Sequence, residues 1–443
     1  MTMDLKSRLR AIVRPATAPL RELTYEPEHT GPEVAVEPAR VGEILGGRPI
    51  ETPFGECLVI DRRYESNRRH GDVAIGDCEL NDLGHLGVLD PSLSAIAATL
   101  SANGGSSAPR TVFVDLETTG LSGGAGTVAF LVGCGYFDGG AFQVRQFLLT
   151  SYRAERALLA AVSDFFDEAD LLVTYNGKTF DVPVMETRWL FHRMELPLDG
   201  VPHFDTLHAA RRLWKDRPDV ELEPEGGCRL STLERTLFAV RRVGDVPGFE
   251  IPSRFFRFLR SGDPRPLEPV LEHNRLDLVS LAAVTARAAR LVSDGADGCP
   301  DDSQALALGR IYTRAGAADR AEACYRRATT SPAPVVRAHA WYCLGLTWRR
   351  GRRFDDAAGA WKAIIELTER PSGWDGRALR QFAIEALAIH REHRDRDYDA
   401  ARDLALFALE EGVGERSAGG FRHRVARLDR KIARKTNAQL FWS

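Results

Sequence analysis

An apolar segment that ends in two carboxylates constrains the fold of this chain more than any other feature. Residues 111–121 read Thr-Val-Phe-Val-Asp-Leu-Glu-Thr-Thr-Gly-Leu, which is typical of a buried strand that ends at a glycine turn. Because side chains alternate along a strand, Asp115 and Glu117 point to the same side of it. Neighbouring carboxylates repel each other and are costly to bury. A pair of Mg²⁺ or Mn²⁺ ions would offset that cost, so the segment predicts a metal site at a strand end.

A second acidic residue follows another apolar run. Residues 171–174 read as a strand, and a glycine-containing turn leads from them to a helix that begins at Asp181. Aspartate is a good N-cap residue, and Pro183 is tolerated in the first helical turn. Taken alone, Asp181 is therefore as consistent with a helix cap as with a site residue.

A third patch lies on the helical segment 267–291. His273 and Asp277 are four residues apart and share one helix face, so both can point into one site. Histidine titrates near pH ~6.5 and could act as a general base at neutral pH. The alternative is that His273 only orients a neighbouring side chain; the base role is favoured.

Taken together, the three patches resemble the motifs of the DEDD superfamily of 3′–5′ exonucleases, which have a ribonuclease-H-like fold. The resemblance covers residues 110–290. Exonucleases of this type with a catalytic histidine use the spacing H-x₄-D, and those with a tyrosine use Y-x₃-D. This chain combines the histidine with the shorter spacing, which leaves the reach of His273 to the attacking water open. Four segments make the resemblance narrower: His203-Phe-Asp-Thr-Leu, Leu230-Ser-Thr-Leu, Ile251-Pro and His273-Asn-Arg-Leu-Asp-Leu-Val-Ser-Leu. With them, the chain most resembles the YprB-like branch of ribonuclease-H-like proteins.

The resemblance implies a metal-dependent nuclease that shortens single-stranded DNA or RNA from the 3′ end and releases nucleoside 5′-monophosphates. His273 would help to deprotonate the attacking water, with two Mg²⁺ or Mn²⁺ ions held by the four acids. The alternatives are a noncatalytic nucleic-acid-binding scaffold, which the intact set of acids disfavours, and an endonuclease with the same site. The residues assigned to the site are Asp115, Glu117, Asp181 and Asp277 as metal ligands, His273 as the base, and Thr118, Thr119, Asn176, Lys178 and Asn274 as substrate contacts.

The order of elements predicts an α/β domain at residues 109–292, with a mixed five-stranded sheet flanked by helices. Asp205 ends another short apolar run and is interpreted as a helix N-cap rather than as a helper of the site. Residues 1–108 form a region of unclear role, with hairpins expected at 47–75 and a flexible linker at 101–109. Packing against the catalytic domain is favoured for this region over nucleic-acid docking.

The hydrophobic period changes after residue 303 and predicts tetratricopeptide-like helix pairs at 303–415, stacked in an all-α solenoid. Small residues would let paired helices approach, and aromatic residues would fill the gaps. Such a surface commonly binds a protein partner; a brace for the catalytic domain is the alternative. Two sets of residues with offsets of 12, 4 and 3 lie 36 positions apart: Gly309, Ala321, Tyr325 and Ala328, then Gly345, Ala357, Trp361 and Ile364.

Residues 416–443 predict a basic amphipathic helix, in which positions 421–435 carry seven Arg or Lys against the single Asp429. A solvated outer face is favoured for this cluster over nucleic-acid binding. The net charge of −3 argues mildly against tight nonspecific binding of nucleic acid. Seven cysteines without C-x₂-C pairs predict neither structural zinc nor a disulfide framework. Without an apolar run of 18 residues or a signal sequence, the chain is expected to be cytoplasmic and not membrane-bound.

Overall fold

The computed structural model describes residues 33–80, 82–95, 109–120, 126–217, 220, 227–368, 376–412 and 414–440. The chain divides into two compact units. The first carries the predicted catalytic residues and comprises Met1–Leu83, Ala95–Ala210 and Glu223–Arg287. The second carries the predicted repeats and comprises Gly84–Ser94, Arg211–Leu222 and Ala288–Ser443. The linker expected at 101–109 lies almost wholly outside the described residues.

A seven-stranded mixed sheet forms the centre of the first unit, in the order β1-β2-β7-β6-β5-β8-β9. Strands β5, β8 and β9 are parallel to one another, and the remaining pairs are antiparallel. A separate two-stranded ribbon, β3-β4, precedes β5 in the chain. The strands are β1 (Arg48–Thr52), β2 (Gly55–Tyr64), β3 (Arg69–His70), β4 (Val73–Ala74), β5 (Thr111–Thr118), β6 (Ala129–Asp138), β7 (Ala141–Leu148), β8 (Leu171–Thr174) and β9 (His203–Asp205).

The prediction of five strands is wrong, because the hairpin β1-β2 from the N-terminal region joins the same sheet. Strand β2 pairs antiparallel with β7, and Leu58 lies opposite Leu148. Leu58 and Ile60 are fully buried, so β2 both extends the core and satisfies the backbone groups along the edge of β7. A hairpin is visible in local sequence, whereas the edge that it joins is not.

Helices pack on the sheet through apolar faces. The sequence of α3 places Leu158, Val162 and Phe166 at helical spacing, and all three are buried. Phe130 of β6 stacks on Phe255 with a ring-centroid distance of 4.2 Å. Up to residue 294 the described helices are α1 (Pro38–Leu45), α2 (Gly84–Leu89), α3 (Glu155–Phe166), α4 (Asp181–Phe191), α5 (Thr206–Trp214), α6 (Leu230–Phe238), α7 (Ile251–Ser261) and α8 (Glu268–Asp294). Of these, α2 belongs to the second unit.

The second unit is mostly helical. Both predicted sets of repeat residues are buried, and the glycine of each set faces the aromatic ring of the next helix. A Cβ at Gly309 would lie 2.5 Å from Tyr325, and one at Gly345 would lie 2.3 Å from Trp361. The same close packing thus recurs in two successive helix pairs. The helices are α9 (Asp302–Ala315), α10 (Ala318–Ala328), α11 (Pro334–Arg350), α12 (Phe354–Thr368), α13 (Arg377–His390), α14 (Tyr398–Glu410) and α15 (Glu415–Leu440).

Gly345→Ala is expected to destabilise the second unit by about 1–3 kcal/mol, because the added methyl group overlaps the ring of Trp361. The matched control is Gly359→Ala on α12, where a Cβ meets no atom within 4 Å. That change should be neutral or stabilising by up to ~1 kcal/mol, since alanine favours helix over glycine. Denaturant unfolding of both variants tests this. Equal effects of the two changes would contradict the packing role of Gly345.

The C-terminal helix is only partly the solvated basic face that its sequence predicts. Arg424, Arg427 and Lys431 contact the buried carboxylate of Glu392 at distances between 2.6 and 3.0 Å. Burial raises the pKa of Glu392, but hydrogen bonds from Arg427 and Lys431 outweigh it and lower the pKa to about 2. Part of the basic cluster therefore neutralises an internal acid. None of the helices in the described ranges combines the length and apolar character that crossing a membrane requires.

Candidate active site

The three acidic patches, far apart in sequence, meet in one cavity of the first unit. Strand β5 supplies the first patch, the start of α4 the second and α8 the third. The cavity has a volume of about 1310 Å³. All five residues predicted to be catalytic line it: Asp115, Glu117, Asp181, His273 and Asp277.

Asn274 holds Asp115 in place. Its Nδ2 donates to Asp115 Oδ2 at 2.8 Å and to the Asp115 carbonyl at 3.1 Å. Its Oδ1 accepts from Nε2 of Gln146 at 2.8 Å, and both amide side chains are fully buried. This burial supports a role in positioning Asp115 rather than the direct substrate contact that the sequence suggested for Asn274.

Gly133 makes room for this hydrogen-bonded row. On three adjacent strands, Asp115, Gly133 and Gln146 are register partners, with Gly133 in the middle. A Cβ at Gly133 would lie 2.1 Å from Oδ1 of Asn274. The missing side chain is thus what lets Asn274 bind both of its neighbours. A glycine inside an apolar strand signals close approach of another group, which is the sequence signal for this feature.

Asp205 fixes the turn that delivers Asp181. The Asp205 carboxylate accepts from the backbone N–H of Asn176 at 2.8 Å, of Lys178 at 3.1 Å and of Leu207 at 3.1 Å. The Leu207 contact is the helix cap predicted from sequence, and the other two secure a turn in which Asn176 has a left-handed φ of 67°. Asp205 is therefore both a cap and a support of the site.

Asp181 is the first residue of α4, and Phe180 occupies the N-cap position. A simple N-cap role for Asp181 is thus not what the structure shows. Burial raises the pKa of Asp181 to about 7, with further increases from the charges of Asp205 and Asp277, against hydrogen bonds from backbone groups that lower it.

The pKa values of the two acids on strand β5, Asp115 and Glu117, are also raised. Burial raises the pKa of Asp115 well above its ordinary value, and the charges of Asp277, Glu117 and Asp181 raise it further. Burial likewise raises the pKa of Glu117 well above its ordinary value, again with Asp277 and Asp181 contributing. Concentrated negative charge is part of the cause of these raised pKa values, and a bound cation would relieve the same repulsion.

A guanidinium group, which the sequence motifs did not indicate, lies among the acids. Arg242 contacts Glu234 at 2.7 and 2.9 Å, Asp245 at 3.1 Å, and Asp277. Burial alone raises the pKa of Asp245, but hydrogen bonds from His273 and charge from Arg242 outweigh it and lower the pKa. Arg242 and Asp245 come from the segment between α6 and α7, which carries no recognisable catalytic motif.

His273 lies between two carboxylates. Its Nδ1 is 2.7 Å from Oδ1 of Asp245, and its Nε2 is 3.5 Å from Oδ2 of Asp277. The imidazole is 18% exposed, so it reaches the cavity surface. Asp245 orients the ring, and the Nε2 side faces Asp277. This arrangement permits both roles considered for His273.

The remaining predicted substrate contacts are placed differently from one another. Thr118 lines the cavity and its hydroxyl donates to the Gly120 carbonyl at 2.9 Å. The Thr119 hydroxyl accepts from the Val128 backbone N–H at 3.0 Å and so supports the end of β5. Lys178 is exposed. Thr118 is therefore the substrate-contact candidate that faces the cavity.

The acids suit divalent cations by chemistry and by location. Carboxylate oxygens are the donors that Mg²⁺ and Mn²⁺ prefer, and four carboxylate groups line one cavity. Across the described residues, no group of three or more His, Cys, Asp or Glu side chains is gathered closely enough to form a metal-binding cage. Metal binding would therefore require these side chains to close in.

The buried side chain of His70 is linked to Arg242 through Ser280 and Glu234. His70 Nε2 lies 2.8 Å from the hydroxyl of Ser280, which donates to Glu234, the partner of Arg242. Burial lowers the pKa of His70 to about 4, with further lowering by the charges of Arg242 and Arg68. The folded protein thus keeps His70 neutral.

Stability is expected to fall as pH drops from ~6.5 to about 4, by about 3 kcal/mol at the lower end for His70 alone. The sign follows because the unfolded chain binds a proton in this range and the folded chain does not. Chemical denaturation across this pH range should show that the free energy of unfolding depends less steeply on pH in His70→Gln than in the wild type. His423→Gln, a change at an exposed histidine of α15, should keep the wild-type slope. An unchanged slope in His70→Gln would refute the assignment.

Residues 112–289 match the family model of the RNase_H superfamily. The uncharacterized protein YprB of Bacillus subtilis (strain 168) is 30% identical over 396 residues, which cover 88% of this chain and 90% of YprB. Among solved structures, the family B DNA polymerase from the hyperthermophilic archaeon Pyrobaculum calidifontis is similar at 17% identity and a TM-score of 0.33. That match covers 50% of this chain and 29% of the polymerase chain.

Proposed function

Because the chain belongs to the YprB family and carries an RNase_H superfamily domain, we propose that it is a metal-dependent 3′–5′ exonuclease acting on single-stranded nucleic acid. One observation carries the proposal: four carboxylates from three distant segments meet in one cavity, where burial and neighbouring charges raise the pKa of Asp115 and Glu117. A fold gains no stability from such a cluster, whereas a cation-dependent reaction needs it.

Asp115, Glu117, Asp181 and Asp277 would hold two Mg²⁺ or Mn²⁺ ions. Bound ions would supply a lowered pKa for the attacking water and charge compensation for the phosphate. Asn274 keeps the Asp115 carboxylate aimed into the cavity through its 2.8 Å hydrogen bond. His273, oriented by Asp245, would accept the proton of the attacking water on its Nε2 side.

The contact of Arg242 with Asp277 favours a second candidate, a noncatalytic RNase-H-like module that binds nucleic acid as a scaffold. In that case the guanidinium would remain the permanent counter-ion of Asp277 and no metal would be needed. The two candidates differ in one respect that is simple to measure, the dependence of phosphodiester cleavage on added metal.

The test is cleavage of 5′-labelled single-stranded DNA and RNA with Mg²⁺ or Mn²⁺, beside an Asp115→Ala/Glu117→Ala control. A ladder that shortens from the 3′ end, and that the control lacks, is the expected result. Discrete internal cuts would favour an endonuclease with the same site. No cleavage of either nucleic acid with either metal would favour the scaffold.

His273→Ala is expected to slow cleavage by about 10²-fold and to alter its dependence on pH, because a general base titrates within the assayed range. Single-turnover rates between pH 5.5 and 9 would show it. Asp245→Asn should give a smaller loss of the same kind, since it removes the acceptor that orients Nδ1. An unchanged pH profile in His273→Ala would leave His273 a structural role only.

For the second unit we propose a tetratricopeptide-like solenoid over 303–415 that binds a protein partner. The repeated packing of Gly309 on Tyr325 and of Gly345 on Trp361 supports the repeat assignment. Helix pairs of this kind stack through faces that cannot be buried alone, and they present a continuous outer surface.

A further inference from the structure

The segment that joins α6 to α7, residues 239–250, is anchored at both ends and still presents an aromatic ring to solvent. Arg242 binds Glu234 with two hydrogen bonds, and Val246 is buried at 3% exposure. Ile251, the first residue of α7, is buried at 2% exposure. Between these anchors, Phe249 is 76% exposed and lines the cavity that holds the acids.

A second exposed ring lines the same cavity. Phe180, which precedes Asp181, is 50% exposed. Phe180 and Phe249 come from separate segments, so their presence in one cavity is a product of the fold. Both are among the few large apolar side chains that the described part of the chain leaves exposed.

Exposed aromatic rings beside a phosphodiester-cleaving site have a chemical counterpart in the proposed substrate. Exposure of a phenyl ring to water is unfavourable, and covering the ring with a flat apolar surface lowers the free energy. Nucleobases offer such a face, and they carry it a short distance from the phosphate that the acids would address. In a duplex the base faces are already stacked, whereas an unpaired strand leaves them free.

We propose that Phe249 forms a stacking site for an unpaired base of single-stranded DNA or RNA next to the carboxylate cluster. This inference rests on the proposed nuclease function and deepens it, since it names the structure of the preferred substrate end and a residue that selects it. The anchored segment 239–250 holds the ring of Phe249 in position, so little ordering is required on binding.

The test uses the full-length chain with Asp115→Asn, in which the loss of a proposed metal ligand is expected to prevent cutting, and a 5′-fluorescein-labelled single strand in Mg²⁺. Adding Phe249→Ala is expected to weaken binding by about tenfold or more, the size of one lost base-stacking contact. Phe249→Trp should retain binding. The matched control is Phe191→Ala, because Phe191 is 62% exposed on the same unit and contacts His192 and Arg188 outside the cavity.

A second strand, abasic at its three 3′-terminal positions, isolates the stacking contact from the phosphate contacts. The Asp115→Asn protein with Phe249 intact, here the parent protein, should prefer the strand with bases by about tenfold. Adding Phe249→Ala should make it bind both strands equally. A purely structural role of Phe249 would weaken binding of both strands by the same factor and leave the preference intact.

An intact preference in Phe249→Ala would overturn the stacking site while metal-dependent cleavage by the wild-type chain would still support the nuclease. If the parent protein shows no preference for bases over abasic positions, the stacking site is likewise refuted. Absence of both binding and cleavage with the wild-type chain would instead remove the nuclease proposal, and the stacking site with it.

Discussion

Asp181→Asn is expected to lower the rate of oligonucleotide cleavage by at least about 10²-fold, because it removes one of the four proposed metal ligands without changing the side-chain shape. The same change should stabilise the metal-free protein at pH 8. Burial and the nearby acids raise the pKa of Asp181 from 3.8 to about 7. Without metal, the folded protein therefore loses stability as pH rises from about 4 to about 7, and the neutral amide escapes this loss.

The measurement pairs single-turnover cleavage with thermal unfolding in EDTA and in Mg²⁺ at pH 8. Wild-type protein should gain Tm on addition of Mg²⁺, whereas Asp181→Asn should have a higher Tm in EDTA and a smaller gain. Asp164→Asn, on the exposed side of α3, serves as the control for the loss of a carboxylate. Cleavage by Asp181→Asn at the wild-type rate would be incompatible with the proposed site.

Gly133→Ala is expected to reduce cleavage by about 10- to 100-fold, although Gly133 touches no substrate. The added methyl group would lie 2.1 Å from Oδ1 of Asn274, so Asn274 must move and its hydrogen bonds to Asp115 and Gln146 are weakened. Overpacking and the loss of buried hydrogen bonds should also lower the free energy of unfolding by about 1–3 kcal/mol.

A double-mutant cycle separates this cause from general strain. Asn274→Ala should itself impair cleavage, because Asp115 loses its donor. If the clash with Asn274 is the reason for the loss, Gly133→Ala should add little to the effect of Asn274→Ala. Fully additive losses in cleavage would show that Gly133 acts through some other contact.

The acidic residues were predictable because each lies within a short local pattern. Asp115 and Glu117 end an apolar strand, Asp181 opens a helix after a glycine turn, and Asp277 shares a helix face with His273. The structure brings all of them to one cavity. Strand alternation and helical periodicity act over a few residues, so the position of each acid on its strand or helix follows from neighbouring residues. Their convergence on one cavity depends on the fold.

Arg242 and Asp245 were not predictable in this way. They lie in an irregular segment between two helices, and their positions are set by long-range pairing with Glu234, Asp277 and His273. Charged residues in a loop ordinarily face solvent, so composition offers no signal that these two enter the site. Phe249, for which a stacking role is proposed, belongs to the same segment and was not predictable for the same reason.

Residue order along the chain was sufficient for the strand and helices that carry the acids and for the recurring glycine–aromatic spacing of the helix pairs, since each depends on turn residues and periodicity within a short window. Three features depended on the folded chain: the number of strands in the sheet, the close approach of Asn274 to Gly133, and the contact of Arg242 with Asp277. These features join groups that are distant in sequence. Their energies come from edge pairing, close packing and charge contacts that exist only once the sheet and helices are assembled.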